Sequence, residues 1–167
     1  MAVTLTVGTN TYATLAEAVA YMATRLGAAA WDAATADNQA KALIGAYQAL
    51  EALRWEGTPT VSTQPGQWPR SELYDVNGNE YATTTMPAWL IAAQCEEALA
   101  LLELAADPDV TVRRGLQRQG VSRVKLAEGV EEDYKPAQPV AGLHSQEAYR
   151  LVRRYLLRAP ARVDSSM

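Results

Sequence analysis

Residues 67–106 read QWPRSELYDVNGNEYATTTMPAWLIAAQCEEALALLELAA. The stretch has two halves. The first opens with Trp68-Pro69-Arg70 and runs through a cluster of turn formers, Asp75, Asn77, Gly78 and Asn79. The second is strongly helical. Pro87 suits a first helical turn, where a missing N–H costs nothing, and Thr84 and Thr85 stand before it as candidate N-caps. Leu90, Ile91, Cys95, Ala98, Leu101, Leu102 and Ala105 recur at spacings of three and four, which places them on one broad apolar face. Asp107, before Pro108, is biased away from helix. The pattern predicts a central helix over 87–106, with the Trp68 loop folded back over it or over a neighbouring helix. Trp68 and Pro69 are expected to anchor that loop. Arg70 is expected to hold a loop carbonyl or carboxylate rather than to do chemistry.

Upstream, Val3 to Val7 alternates as VTLTV and reads as a short edge strand over residues 2–7. Gly8-Thr9-Asn10 turns the chain. Thr14-Leu15-Ala16-Glu17 has the form of a capping box. The helix behind it carries Leu15, Ala18, Val19, Met22 and Leu26 on one face and stops at Gly27. Tyr12 precedes the cap and could staple onto the first turn. Residues 28–31 read as a short connection whose Trp31 is a core anchor. Thr35 is a candidate cap for a second helix over 36–54, with Leu43, Ile44, Tyr47, Leu50 and Arg54 on one face. Gly57, Pro59, Pro65 and Gly66 punctuate a long polar loop that leads to Trp68, and such loops often carry binding function.

Downstream the character changes. Residues 110–112 and 121–127 alternate like strands, and Gly115, Gly120 and Gly129 punctuate them. This reads as an extended arm or hairpin bearing Arg113, Arg114, Arg118, Arg123 and Lys125, followed by the acidic run Glu131-Glu132-Asp133. Pro136 and Pro139 stiffen a linker. Leu143, His144 and Ser145 lead into a final helix over 146–158. Tyr149, Val152, Tyr155 and Leu156 face inward on it, and Arg150, Arg153, Arg154 and Arg158 line the other faces. Residues 159–167 read as a tail.

The chain has 167 residues, 49% of them hydrophobic, with no Phe and one Cys. That length suits one domain with an arm or tail. Cys95 lies on the apolar helix face, so a buried inert thiol is expected and no internal disulfide is possible. The N-terminus has no secretory pattern, and no apolar run approaches membrane-spanning length. The net charge of −4 hides an asymmetry. Residues 1–107 carry four cations against twelve acidic residues, a net of −8, and residues 108–167 carry eleven against seven, a net of +4. Such a split is compatible with two different surfaces or partners.

Catalytic constellations are missing. One His and one Cys in different elements do not make the usual zinc site, and no phosphate loop, dinucleotide fingerprint or nucleophile elbow is present. Glu96 and Glu97 are adjacent on a helix and point apart, a poor acid/base pair. His144 reads as a solvated residue near the last helix N-terminus. Asp75-Val76-Asn77-Gly78-Asn79 resembles the start of a calcium loop, but its twelfth position is Met86 where a bidentate Glu is needed. An Asn-Gly turn accounts for it. The cations carry more weight. A single-strand binder pairs a cationic track with stacking aromatics. Residues 113–125 offer cations without aromatics, and overall acidity works against a free-standing, high-affinity DNA binder. The last helix combines Tyr149 and Tyr155 with four arginines and reads as a cationic helix docking on an acidic protein partner.

Asn10-Thr11-Tyr12, then Thr14-Leu15-Ala16-Glu17-Ala18 and Tyr21, Trp31, Ala42-Leu43-Ile44, Trp55-Glu56-Gly57, Gln67-Trp68-Pro69-Arg70, Tyr74-Asp75 with Asn77-Gly78, and the proline-started helix with Ala93, Cys95, Glu96, Ala98 and Leu99 occur in an order that resembles a family of tailed bacteriophages. The family pattern has Ser where this chain has Thr11. The resemblance spans about residues 10–106. These are head–tail connectors, also called adaptors or head-completion proteins, and the same group is also labelled DnaT-like single-stranded-DNA-binding protein. The resemblance implies a structural virion protein of the neck. A ring of about twelve copies would dock on the portal protein, touch tail or neck proteins, and continue the channel through which genomic DNA passes during packaging and ejection. It implies residence at the head–tail junction, with the host cytoplasm before assembly.

The expected fold is mainly α: a small bundle of about four helices (residues 1–107), an extended arm or β-hairpin (108–135), and a linker, C-terminal helix and tail (136–167). The expected function is a non-enzymatic head-to-tail adaptor without cofactor, metal or membrane. Arg150, Arg153, Arg154 and Arg158 are the candidate portal-docking residues. Arg113, Arg114, Arg118, Arg123 and Lys125 are the candidates for subunit or tail contacts, and Trp31, Trp68, Pro69 and Arg70 are the structural anchors. The alternative is a single-stranded-DNA-binding replication protein.

Overall fold

A computed structural model describes residues 3–107, 123–125, 131–133 and 142–157. Five α-helices are present among them: α1 (Leu15–Met22), α2 (Ala29–Ala33), α3 (Ala36–Glu51), α4 (Ala88–Ala106) and α5 (Gln146–Val152). A 3₁₀ turn, Arg153–Tyr155, follows α5. Two antiparallel ladders complete the inventory. One pairs β1 (Thr58–Pro59) with β2 (Arg70–Ser71), and the other pairs β3 (Arg123–Lys125) with β4 (Glu131–Asp133). The protein is a mainly helical bundle with a hairpin.

Local chemistry sets the helix starts. Thr14 closes a full capping box with Glu17, and the Thr35 side chain accepts from Asn38 N at the head of α3, each satisfying a backbone donor that helix geometry orphans. Pro87 is itself the N-cap of α4, with no side-chain cap bond, so Thr84 and Thr85 do not cap it. Several expected boundaries move. No strand forms at residues 3–7; Val7 makes only an isolated bridge to Thr11. Alternation alone does not make a strand without a neighbour to pair with, and here Val3 N and Thr6 N are taken by Asp37 Oδ1 (3.1 Å) and Asn10 Oδ1 (2.7 Å). The first helix stops at Met22, not Gly27. Thr24 Oγ1 donates to Tyr21 O (2.9 Å), and Arg25 reaches across to Glu96 (2.6 Å). Leu26 is left 89% exposed as a result. Where a short connection is expected over residues 28–31, Ala29–Ala33 form α2.

α4 lies at the centre. It packs against α1, α2, α3 and α5, and every residue from Ala93 to Leu99 is buried. The one-faced apolar helix expected from periodicity is therefore a helix covered on all sides through its middle. Its far end, Leu101 to Ala106, is partly or fully exposed. Covering all faces buries polar residues as well, and each needs partners. Gln94 Oε1 accepts from Tyr12 N and Ala13 N (both 2.9 Å), while Nε2 donates to Thr11 Oγ1 (2.9 Å) and Leu43 O (2.8 Å). Glu96 takes Arg25 and the Tyr21 hydroxyl (2.7 Å). Glu97 takes His144 N and Ser145 N (both 2.9 Å) and His144 Nδ1 (2.8 Å). His144 is thus tied to a fully buried carboxylate rather than simply solvated.

The core has two parts. One gathers Ala18, Met22, Trp31, Leu43, Ala46, Cys95, Ala98 and Leu99 between α1, α2, α3 and α4. Cys95 is fully buried there, and burial pushes its thiol up to about 12. The other gathers Tyr12, Leu50, Trp55, Trp68, Leu73, Leu90, Val152 and Tyr155 between the end of α3, the loop after it, the start of α4 and α5. Tyr12 belongs to this second part, where its hydroxyl meets Glu51, so it does not staple onto α1.

Candidate nucleic-acid interface

The loop from Trp55 to Arg70 builds the floor of the site. α3 stops at Glu51 because its last carbonyls are claimed by the loop: Trp55 Nε1 donates to Leu50 O (3.1 Å), and Gln67 Nε2 donates to Leu53 O (3.1 Å) and to Glu51 O. The Glu51 carboxylate accepts from Gln67 N (2.9 Å). Gly57 has φ +70°, and a Cβ there would strike Ser71 O across the β1–β2 ladder. Gly66 has no room either, since a Cβ would sit 2.5 Å from the Tyr47 hydroxyl. The Trp68–Pro69 bond is cis. Arg70 is 6% exposed and donates to four carbonyls, Gly57 O (2.7 Å), Glu56 O (2.8 Å), Gln67 O (3.1 Å) and Trp55 O (3.5 Å). Burial lowers its pKa from the usual value. Trp31 and Trp68 are 2% and 1% exposed.

Trp68 then meets two other indoles edge to face, Trp55 at 5.3 Å and Trp89 at 5.2 Å. Trp89, from the first turn of α4, is partly exposed and stacks on Tyr155 with centroids 4.1 Å apart and planes 14° from parallel. Tyr81 stands edge-on to both, and its hydroxyl lies 2.7 Å from that of Tyr155. Burial, then the Tyr81 hydrogen bond, pushes Tyr155 up to about 12. Two polar atoms in this cluster have no acceptor: Trp68 Nε1 and Trp89 Nε1.

The turn over residues 75–79 forms one rim. Asp75 Oδ1 accepts from Asn77 N (2.7 Å) and Asn79 N (2.9 Å), Oδ2 accepts from Asn79 Nδ2 (3.0 Å), and Gly78 has φ +83°. Those bonds, the Asn79 side chain first, hold the carboxyl below its usual range. The carboxylate is spent on its own loop, and no cluster fit for a metal exists among the described residues. Tyr74 and Val76 project outward, 53% and 73% exposed.

A strap forms the other rim. Glu97 and the Ser145 cap fix the start of α5. Ala148 and Val152 bury its inner face. Beyond it, Glu56 N donates to Tyr155 O (2.8 Å), and Leu157 N donates to Arg54 O (2.9 Å). This fastening places exposed Arg54 beside the strap that carries exposed Arg153 and Arg154. Arg154 lies 5.4 Å from the Tyr155 ring centroid, a cation–π distance. Among the described residues these three arginines make no ion pair. Arg150 differs, since it bonds Glu147 at 2.8 Å on the same helix. Arg158, Arg113, Arg114 and Arg118 lie outside the described residues. The hairpin register sets Arg123 opposite Asp133 and Lys125 opposite Glu131.

Of the residues the sequence singles out, the structure brings Trp68, Arg153 and Arg154 to one region, with Tyr155. Trp89, Tyr81 and Arg54 join that region without any sequence signal for it. They meet their partners across long separations in the chain, and no local pattern announces them. What the group offers chemically is a set of aromatic planes edged by unpaired guanidinium groups, with no nucleophile or acid/base pair. Elsewhere, an open groove of about 690 Å³ runs between Val3, Leu5, Leu15, Ala36 and Ala40. Its Asp37 is taken by Lys41 (2.6 Å) and Val3 N.

The sequence model of a family described as "Putative DnaT-like ssDNA binding protein" matches residues 3–164. No curated protein and no solved structure matches the chain. This finding overturns the head-to-tail adaptor reading: the matching family is described by single-stranded DNA, not by a virion neck. The family match does not test the portal-docking role given to Arg150, Arg153, Arg154 and Arg158, or the subunit or tail contacts given to Arg113, Arg114, Arg118, Arg123 and Lys125. Among the described residues no helix is long and apolar enough to cross a membrane.

Proposed function

The chain belongs to the DnaT-like ssDNA-binding protein family, and from that premise we propose that it is a non-enzymatic binder of single-stranded DNA. The contact surface in this reading is the face formed by Arg54, Arg153 and Arg154 with Tyr74, Tyr81 and Trp89, over the buried Tyr155. One observation carries it. The three arginines without an ion partner stand at the edge of the cluster that holds the stacked Trp89–Tyr155 pair. Single-strand binders combine those two parts: guanidinium groups follow the phosphates, and aromatic planes accept bases of any sequence. The acidic remainder, −8 over residues 1–107, repels the strand elsewhere and confines it to this face.

The test is a fluorescence anisotropy titration of the full chain with a labelled single-stranded oligonucleotide across a salt series. Binding is expected at low salt and should weaken steeply as salt rises. Replacing Arg153 and Arg154 by Ala should flatten the slope of log K against log salt by about 0.7 for each phosphate that the variant no longer neutralises. Absence of binding at low salt, or equal binding and slope in the variant, rejects this assignment.

A further inference from the structure

The chain has asparagines at positions 10, 38, 77 and 79. Three of them are held. Asn10 donates through Nδ2 to Thr4 O (3.0 Å) and accepts at Oδ1 from Thr6 N (2.7 Å). Asn79 donates through Nδ2 to Asp75 Oδ2 (3.0 Å). Asn38 lies in the first turn of α3, where the helix fixes the backbone around it. Asn77 differs. It is exposed, its carboxamide makes no hydrogen bond among the described residues, and it alone precedes a glycine. Gly78 has φ +83°, and the space where a Cβ would stand is empty. Its N–H makes one long bond, to Asp75 O at 3.3 Å. Asparagine is chemically labile, most of all where the next backbone nitrogen reaches its carboxamide carbon, and glycine shields that nitrogen least.

Resting on the DNA-binding reading, we infer that Asn77–Gly78 is a self-modification site whose reaction weakens DNA binding as the protein ages. Gly78 N, released from Asp75 O, attacks Asn77 Cγ. The N–Cγ bond forms, the Cγ–Nδ2 bond breaks, and the proton shed by Gly78 N leaves with the amide nitrogen as ammonia. Water then opens the five-membered imide at either carbonyl. The products are aspartate and its isomer in which the backbone runs through the side chain. Nothing is oxidised or reduced, and each product carries one new negative charge at the tip of the turn.

That charge stands on the rim of the face assigned to DNA. The hairpin behind the turn is closed by Asp75 N to Asn79 O (2.8 Å) and by Tyr81 N to Leu73 O (2.9 Å). The Tyr81 hydroxyl meets that of Tyr155, the ring over which Arg154 lies. The Asp75 charge, after burial and the Tyr81 bond, already helps to raise Tyr155. A further carboxylate two residues on repels the phosphates that Arg153 and Arg154 attract.

The experiment incubates the full chain in mildly alkaline buffer, maps its peptides by mass, and titrates it with a labelled single-stranded oligonucleotide at low salt. The peptide holding Asn77 is expected to gain the mass difference between amide and acid, as two products separable by chromatography. Fragmentation should place the gain at Asn77 and not at Asn79, and the peptides holding Asn10 and Asn38 should stay unchanged. Converted protein should bind about threefold more weakly than fresh protein, the effect of one exposed charge at close range, and the difference should shrink as salt rises. Asn77→Asp should show the same loss without incubation, and Asn77→Gln should lose no affinity on incubation. Asn77 left intact, or Asn77→Asp binding as tightly as fresh wild type, overturns the inference and leaves the DNA-binding reading standing. Failure of fresh wild-type protein to bind the oligonucleotide overturns both.

Discussion

Around residues 93–99 of α4 every buried polar side chain is partnered, whereas the aromatic cluster leaves two indole donors with no acceptor. Both regions are built on α4. In the first, Gln94, Glu96 and Glu97 use their oxygens and nitrogens to hold the 11–13 segment, the end of α1 and the start of α5. These bonds fix how the neighbouring elements meet. In the second, rings meet edge to face and cover area, but the polar edges of Trp68 and Trp89 are left over. A region whose polar atoms are all satisfied has nothing to offer a ligand. A region where unpaired cations edge aromatic rings does, which is why the functional reading settles there.

Breaking the satisfied side should hurt most. Gln94→Leu keeps volume but strands Tyr12 N and leaves Ala13 N with only its 3.3 Å bond to Thr11 Oγ1, and should cost about 3 kcal/mol in urea unfolding. A loss under about 1 kcal/mol would show that the polar joints of α4 can be replaced by simple packing. Trp55→Phe probes the aromatic side where it does follow the rule. It forfeits the bond to Leu50 O and some volume, and should cost about 2 kcal/mol in the same assay.

The unevenness of the sequence reading follows the same divide. Thr14 with Glu17, and Thr35, are legible because caps act over three residues. The central helix is legible from its period. Its environment is not: periodicity cannot register that neighbours surround the helix, so nothing marks Gln94, Glu96 and Glu97 as buried. α2 escapes because so short a helix holds too little period to score. VTLTV misleads because alternation records a preference that only a partner strand realises. The site is half visible. Arg153, Arg154 and Tyr155 are consecutive in the chain, so their conjunction can be seen. Trp89, Tyr81 and Arg54 join them only through tertiary contacts.

Alkaline titration sharpens the contrast between the two tyrosine settings. Tyr47 and Tyr155 are raised from about 10 to about 12, by burial first in each case. Tyr12 is raised further still, by burial and then by the Glu51 hydrogen bond. A raised phenol keeps its proton longer folded than unfolded. Its contribution to stability is complete below pH 10 and is lost as pH climbs through its folded value. Urea unfolding should therefore weaken between about pH 10 and 12. Absorbance at the phenolate band should show Tyr155 ionising before Tyr12, identified by Tyr155→Phe. Simultaneous ionisation of the two would erase the distinction between the aromatic rim and the interior.

The smallest expected effect is the most telling. Trp89→Phe and Trp55→Phe make the same chemical change, an indole for a phenyl ring, in one cluster. Trp55 loses a made hydrogen bond; Trp89 loses a donor that had none. Deleting an unsatisfied buried group returns its desolvation cost, which offsets the packing lost at a partly exposed ring. Trp89→Phe should thus change unfolding free energy by less than about 1 kcal/mol, in either direction. Were it to cost as much as Trp55→Phe, the Trp89 N–H would have to be satisfied within the folded chain, by the rings edge-on to it.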